Sequence, residues 1–228
     1  MAKAVAAKKA PSPIEVFPEI EQGSPEWFEL RLGIPTASNF ALVTRDSEAK
    51  TRRKYMHKLA GEILTGRPAE GKIMTAAMQR GHDMEPEARD HYAKKNIVKI
   101  DQVGFIRKLL PSGRYVGTSP DGLMEARKGA GWRKALEIKT IAPDLMIELL
   151  ERGAALPPEH RWQVYGTMWV ADIEEVDLML YYRNMPVAPK FTVVRNEAAI
   201  KEVSDAVEVF DHELNNLVKK YRAMGGAR

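Results

Sequence analysis

Apolar positions recur every three to four residues through the N-terminal part of the chain and again at its C-terminal end, and short β-rich runs broken by Gly and Pro lie between. A helix is signalled from Ser24, which can cap it, with Pro25 at the first helical position, Glu26 near the positive end of the dipole and Gly33 as its stop. A second helix is expected to begin at Thr36 or Ser38. A longer one spans 51–64 and ends at Thr65-Gly66, and 74–95 carries a further helical pattern interrupted by Gly81 and Pro86. Strands are predicted over 97–107, 114–118, 122–126 and 134–141, separated by Pro-Ser-Gly, Pro-Asp-Gly and Gly-Ala-Gly. Helices at 144–152 and 158–170, strands at 176–183 and 190–195, and a long amphipathic helix over 196–224 follow. Helices on both sides of a mixed central sheet give an α/β architecture. With no internal repeat or boundary, 14–228 reads as a single domain, and the Ala-, Lys- and Pro-rich 1–13 as a flexible basic tail.

Composition changes this picture mainly by exclusion. The chain of 228 residues has no cysteine, which removes disulfides, thiol nucleophiles, zinc knuckles and iron–sulfur clusters together. Any metal must bind oxygen or histidine, and the five histidines show no ligand spacing. A formal charge of +4 permits a polyanionic partner without requiring one. No apolar run approaches the roughly 20 residues that span a bilayer, and the first residues lack the apolar core of a secretory signal, so a cytoplasmic location is expected.

The chemistry concentrates in the β-rich middle. Asp121 lies in Thr118-Ser119-Pro120-Asp121-Gly122-Leu123, and sixteen positions later comes Glu137, followed by Ile138 and Lys139. On a strand Glu137 and Lys139 share one face while Leu136 and Ile138 turn to the other. Two carboxylates beside an ammonium suit Mg²⁺, which takes oxygen ligands, keeps several waters and can serve phosphodiester hydrolysis. Each piece also has an ordinary reading. Glu-x-Lys is common on a solvated strand face, and Ser-Pro-Asp-Gly is good turn chemistry. The conjunction favours a site, because residues 125–134 read as a hairpin loop that returns the second strand beside the first. Elsewhere, Glu85 sits on a helix whose Ala77, Met78, Met84 and Ala88 suggest an apolar face, and Gln163 lies in a helical run. Arg31 beside Thr36 and Ser38 offers a guanidinium and two hydroxyls for a phosphate, or simply a cap and an ion pair.

Taken in order, 22–38, 81–89, Ser119-Pro120-Asp121-Gly122-Leu123, Glu137-x-Lys139 and Gln163-Val164 make the chain resemble the phage lambda exonuclease family of phage-type and prophage alkaline exonucleases, part of the PD-(D/E)xK nuclease superfamily. The resemblance runs over about 20–195 and implies a restriction-endonuclease-like core. It implies that Asp121, Glu137 and Glu85 hold Mg²⁺, with Mn²⁺ as a substitute, that Lys139 activates the attacking water, and that Gln163 supports it. Arg31, Ser38 and Ser119, assisted by Thr36, would hold a terminal 5′-phosphate, and Met78 would help split the duplex. The stretch 127–134 departs from the family in length and charge. The implied activity is 5′-to-3′ degradation of one strand of linear double-stranded DNA, releasing mononucleotides and leaving a 3′ overhang. A ring-shaped homotrimer and a single-strand annealing protein are the implied partners. The alternatives are a related endonuclease and a non-catalytic DNA-binding recombination scaffold.

Overall fold

The computed structural model describes residues 14–69, 76–127, 129–153 and 155–225; the tail expected at 1–13 lies outside the described residues. Strand β1 (Ile14–Phe17) is followed by α1 (Pro25–Leu30), whose first turn is capped as expected, Ser24 Oγ accepting from Trp27 N at 3.2 Å. The second predicted helix is a 3-10 turn (Ala37–Asn39) running into the short α2 (Phe40–Val43). Helix α3 (Lys50–Thr65) ends where Gly66 takes a left-handed conformation. Helix α4 (Ala76–Asn96) runs unbroken through both Gly81 and Pro86, contrary to the expected interruption. Pro86 forfeits one backbone bond, to the carbonyl of His82, and that turn is exposed enough for water to replace it.

Strand β2 (Phe105–Leu109) pairs antiparallel with β1 on one side and with β3 (Tyr115–Thr118) on the other, in the order β1-β2-β3. The strand expected over 97–107 is therefore mostly extended loop, tied to the fold at Asp101 by a single bridge to Leu123. The mixed sheet flanked by helices is made of β4 (Gly122–Glu125), β5 (Trp132–Thr140), β6 (Glu175–Tyr181) and β7 (Lys190–Val194), in chain order. Its β4-β5 and β6-β7 pairs are antiparallel, and its β5-β6 pair is parallel. Between β5 and β6 lie α5 (Pro143–Glu151), a 3-10 turn (Pro158–His160) and α6 (Arg161–Ala171); α7 (Glu197–Met224) closes the chain. The hairpin loop expected at 125–134 is shorter than read, because β5 already begins at Trp132.

Period two sorts the mixed sheet between two cores. Leu123, Ala135, Val176, Leu178 and Leu180 join the main core with α2, α3, α6 and α7, while Met124, Leu136, Ile138, Met179 and Tyr181 meet Met84, Ala88 and Tyr92 of α4. A buried charge fastens the second face. Asp177 accepts from Tyr92 at 2.5 Å and Thr192 at 2.6 Å, and pairs with Lys134 at 2.9 Å and Lys190 at 2.8 Å, which joins α4, β5, β6 and β7. Among the described residues no helix is long and apolar enough to cross a membrane.

Candidate active site

The two sheets meet where β3 passes through Ser119-Pro120-Asp121 into β4, and a cleft of about 490 Å³ opens along that seam. Its wall brings together Arg31, Thr36, Ser38, Glu85, Ser119, Asp121, Glu137, Lys139 and Gln163, from five separated stretches of chain. Met78 lies on α4, but its side chain, like that of Ala77, is outside the described residues.

Glu137 and Lys139 project from the same face of β5, as period two requires, but that face is not solvated. Glu137 is 1% exposed. Its Oε2 accepts from Gln163 Nε2 at 2.6 Å and lies 3.7 Å from Lys139 Nζ, and its Oε1 accepts from Thr167 Oγ1 at 3.2 Å. Burial pushes the Glu137 carboxyl up to about 8; Lys139 works against this and Asp121 adds to it. Asp121 stands in the turn between β3 and β4, with Oδ2 accepting from Ile138 N at 2.6 Å and its own N–H donating to Leu136 O at 3.0 Å. Burial raises its carboxyl too, while Lys139 and the Ile138 N–H hold it back. Buried carboxylates that repel one another, with a single ammonium beside them, form an all-oxygen set that a hard divalent cation would relieve.

Glu85, on α4, faces the same cleft and forms an ion pair with Arg89, whose Nε also donates to the Asp121 carbonyl at 2.7 Å. Burial and then Asp121 raise the Glu85 carboxyl. Among the described residues no group of three or more acidic or histidine side chains comes together closely enough to hold a metal ion unaided. The direct donors are thus fewer than the three acids implied by the motifs, and water and phosphate oxygens have room to complete a shell.

On the same cleft wall the Arg31 guanidinium lies 3.7 Å from the Trp27 ring centroid and donates to Thr36 Oγ1 at 3.3 Å. Burial lowers its pKa to about 10, which leaves it cationic at neutral pH. Thr36 Oγ1 is 3.3 Å from Ser38 Oγ. Trp27 also orients Ser119, donating from Nε1 to its Oγ at 3.1 Å, while Ser119 Oγ donates to Gly104 O at 2.8 Å. Among the described residues Arg31 makes no ion pair, so its charge can meet an anion entering the cleft. Sequence reasoning gave Trp27, Arg89 and Thr167 no role in the site. Thr167 was signalled by its spacing alone, four residues beyond Gln163 on one face of α6.

Residues 26–174 match the YqaJ-like viral recombinase domain. Among solved structures, the alkaline exonuclease LHK-Exo from Laribacter hongkongensis is 30% identical, with a TM-score of 0.76 over 89% of this chain and 98% of that one, and its complex with dAMP matches equally. A phage-related exonuclease from Haemophilus somnus 129PT, 12% identical over 82% of this chain and 96% of that one with a TM-score of 0.57, shares the fold. No curated protein matches the chain in sequence. The resemblance carried by the motifs is borne out, and the chain belongs to the YqaJ-like viral recombinase family.

Proposed function

We propose that this chain is a deoxyribonuclease of the exonuclease kind, which degrades one strand of linear duplex DNA from a 5′-phosphorylated end with Mg²⁺ and leaves a 3′ overhang for strand annealing. One observation carries the reading: the wall of a single cleft holds a carboxylate pair with Lys139 and, with them, the Arg31 guanidinium beside the hydroxyls of Thr36, Ser38 and Ser119. A phosphodiester one nucleotide in from a terminal phosphate can then meet the acids while the end is held.

Asp121 and Glu137 would hold the ion, with Glu85 contributing through water while it stays paired with Arg89. Mn²⁺ suits the same oxygen donors. When bound, the ion supplies Lewis-acid polarisation of the phosphate and a lowered water pKa. Lys139 is placed to orient the attacking water and to stabilise charge developing on the phosphate oxygens. Gln163 fixes the Glu137 carboxylate through Oε2. Arg31, Ser38 and Ser119 bind the terminal phosphate by charge-assisted and hydroxyl contacts, with Thr36 holding Arg31 in place.

Release of acid-soluble nucleotides from linear 5′-phosphorylated duplex DNA tests the reading. Mg²⁺-dependent release, abolished by EDTA and by Asp121→Ala while DNA binding persists, is the expected outcome. Activity that survives Asp121→Ala would place the metal elsewhere, and no release by the unaltered protein with any divalent ion would favour the binding scaffold. The ring homotrimer has its own test. Light scattering should return three times the 25.6 kDa chain mass, and a monomeric mass at working concentration would remove the ring as the basis of processivity. An annealing protein would receive the overhang.

A further inference from the structure

The Glu137 carboxylate is held at both oxygens, and the partner of Oε1 belongs to a longer chain. Thr167 Oγ1 donates to Oε1 at 3.2 Å and lies 2.9 Å from Thr118 Oγ1 at the end of β3. A hydroxyl has one proton, and an ionised carboxylate only accepts. With Glu137 ionised, Thr167 must give its proton to the carboxylate and take its second bond from Thr118, so the chain has one direction. Thr118, Thr167 and Glu137 are 2%, 0% and 1% exposed, so water does not substitute for the contacts that link them. They come from β3, α6 and β5, so the chain crosses the seam between the sheets beside Ser119. A polar contact that merely packs α6 on β3 would need only the two threonines.

We infer that Thr167, backed by Thr118, is a positioning residue that sets the orientation of the Glu137 carboxylate for a divalent cation. This rests on the reading of Glu137 as a metal ligand. Gln163 fixes one oxygen and Thr167 the other, so the plane of the carboxylate is defined and the remaining lone pairs are aimed at the cleft. Residues behind a metal ligand commonly change metal affinity by about 10–100-fold when removed.

The test is calorimetric titration of the DNA-free protein with Mn²⁺ or Mg²⁺, alongside thermal melting and steady-state kinetics. Thr167→Val keeps the side-chain shape and removes the hydroxyl. The dissociation constant for the cation should rise by about 10-fold or more, kcat should fall with little change in KM for DNA, and Thr167→Ser should restore both. Thr167→Val also strands the Thr118 hydroxyl, so some loss of melting temperature is expected on structural grounds. The double variant Thr118→Val/Thr167→Val removes that orphan but not the one at Glu137 Oε1; its melting temperature should recover in part while its cation affinity stays weak. If affinity recovers together with melting temperature, or if Thr167→Val binds the cation as the unaltered protein does, the threonines are packing groups and the inference fails alone. Glu137→Gln is the control: if it binds the cation undiminished, the metal reading of Glu137 fails and takes this one with it.

Discussion

Glu137 is where folding and chemistry oppose each other. In the metal-free fold burial keeps its proton on up to about pH 8, whereas the unfolded chain releases it near the ordinary value of 4.5. Between those values the native state binds the extra proton, so stability contributed by this group is present at low pH and is lost as pH rises through 8. A divalent cation bound by Glu137, as proposed, would have to displace the same proton, so its affinity would rise with pH. Melting of the metal-free protein should therefore occur at lower temperature at pH 8 than at pH 6, and Mg²⁺ should raise the melting temperature more at pH 8. Glu137→Gln should flatten both trends; a Mg²⁺ shift equal at the two pH values would mean that the cation does not compete for this carboxylate. The role proposed for Arg31 is plain attraction. A charge-assisted contact is worth about 1.5–3 kcal/mol, so Arg31→Ala should cost about 10-fold or more in KM on 5′-phosphorylated ends and little on 5′-hydroxyl ends. Equal rates of the unaltered enzyme on both ends would remove that role. Glu137 was legible because strand period puts it on one face with Lys139, and Arg31 because Thr36 and Ser38 follow it closely in the sequence. Trp27 and Thr167 were not, since their roles arise only from what the fold brings beside them, Ser119 and Glu137.

Elements were readable where their ends carry local chemistry. Ser24 and Gly66 mark helix boundaries by capping and a left-handed turn, and both hold. Strand β1 has no such signal; Ile14–Phe17 becomes a strand through pairing with β2, and Arg107 over Phe17 and Tyr115, bonded to Glu15, is what fastens it. Helix α6 shows how tightly an element can be placed by a residue with no side chain. A Cβ at Gly166 would lie 2.4 Å from Phe40 Cδ2, and Phe40 is fully buried with no room to swing aside. Gly166→Ala should cost about 1–3 kcal/mol in urea denaturation by overpacking. It should also lower nuclease activity, because Gln163 and Thr167 ride on the displaced helix. Gly61 makes the contrast. It lies inside α3, and no atom of the described residues comes within 4 Å of where its Cβ would stand, so Gly61→Ala should stabilise by about 0.5–1 kcal/mol through reduced chain entropy and leave activity unchanged. The same sign for both substitutions would refute this account of how α6 is held.

At the scale of the whole molecule, the feature hidden from the sequence is the seam. Hydrophobic period two announces strands but not which of them pair, so the division into a three-stranded and a four-stranded sheet, with the cleft between, depends on tertiary contacts. The ordered motifs nonetheless pointed to the cleft, because each supplies one part of its wall. Its size has a consequence for substrate geometry. About 490 Å³ falls in the range of sites that enclose small molecules, and so suits a nucleotide or a short single strand rather than a duplex. On the proposed reading the helix stays outside and feeds one strand inward, with its terminal phosphate leading to Arg31 and the next phosphodiester to Asp121 and Glu137. A covalently closed duplex circle offers no end to feed. It should survive incubation with Mg²⁺ and enzyme under conditions that degrade the same DNA once linearised, and the linear form should yield mononucleotides from the outset rather than a spread of oligomers. Conversion of the circle to a linear form would instead show that the carboxylates reach internal bonds and that the endonuclease reading is correct.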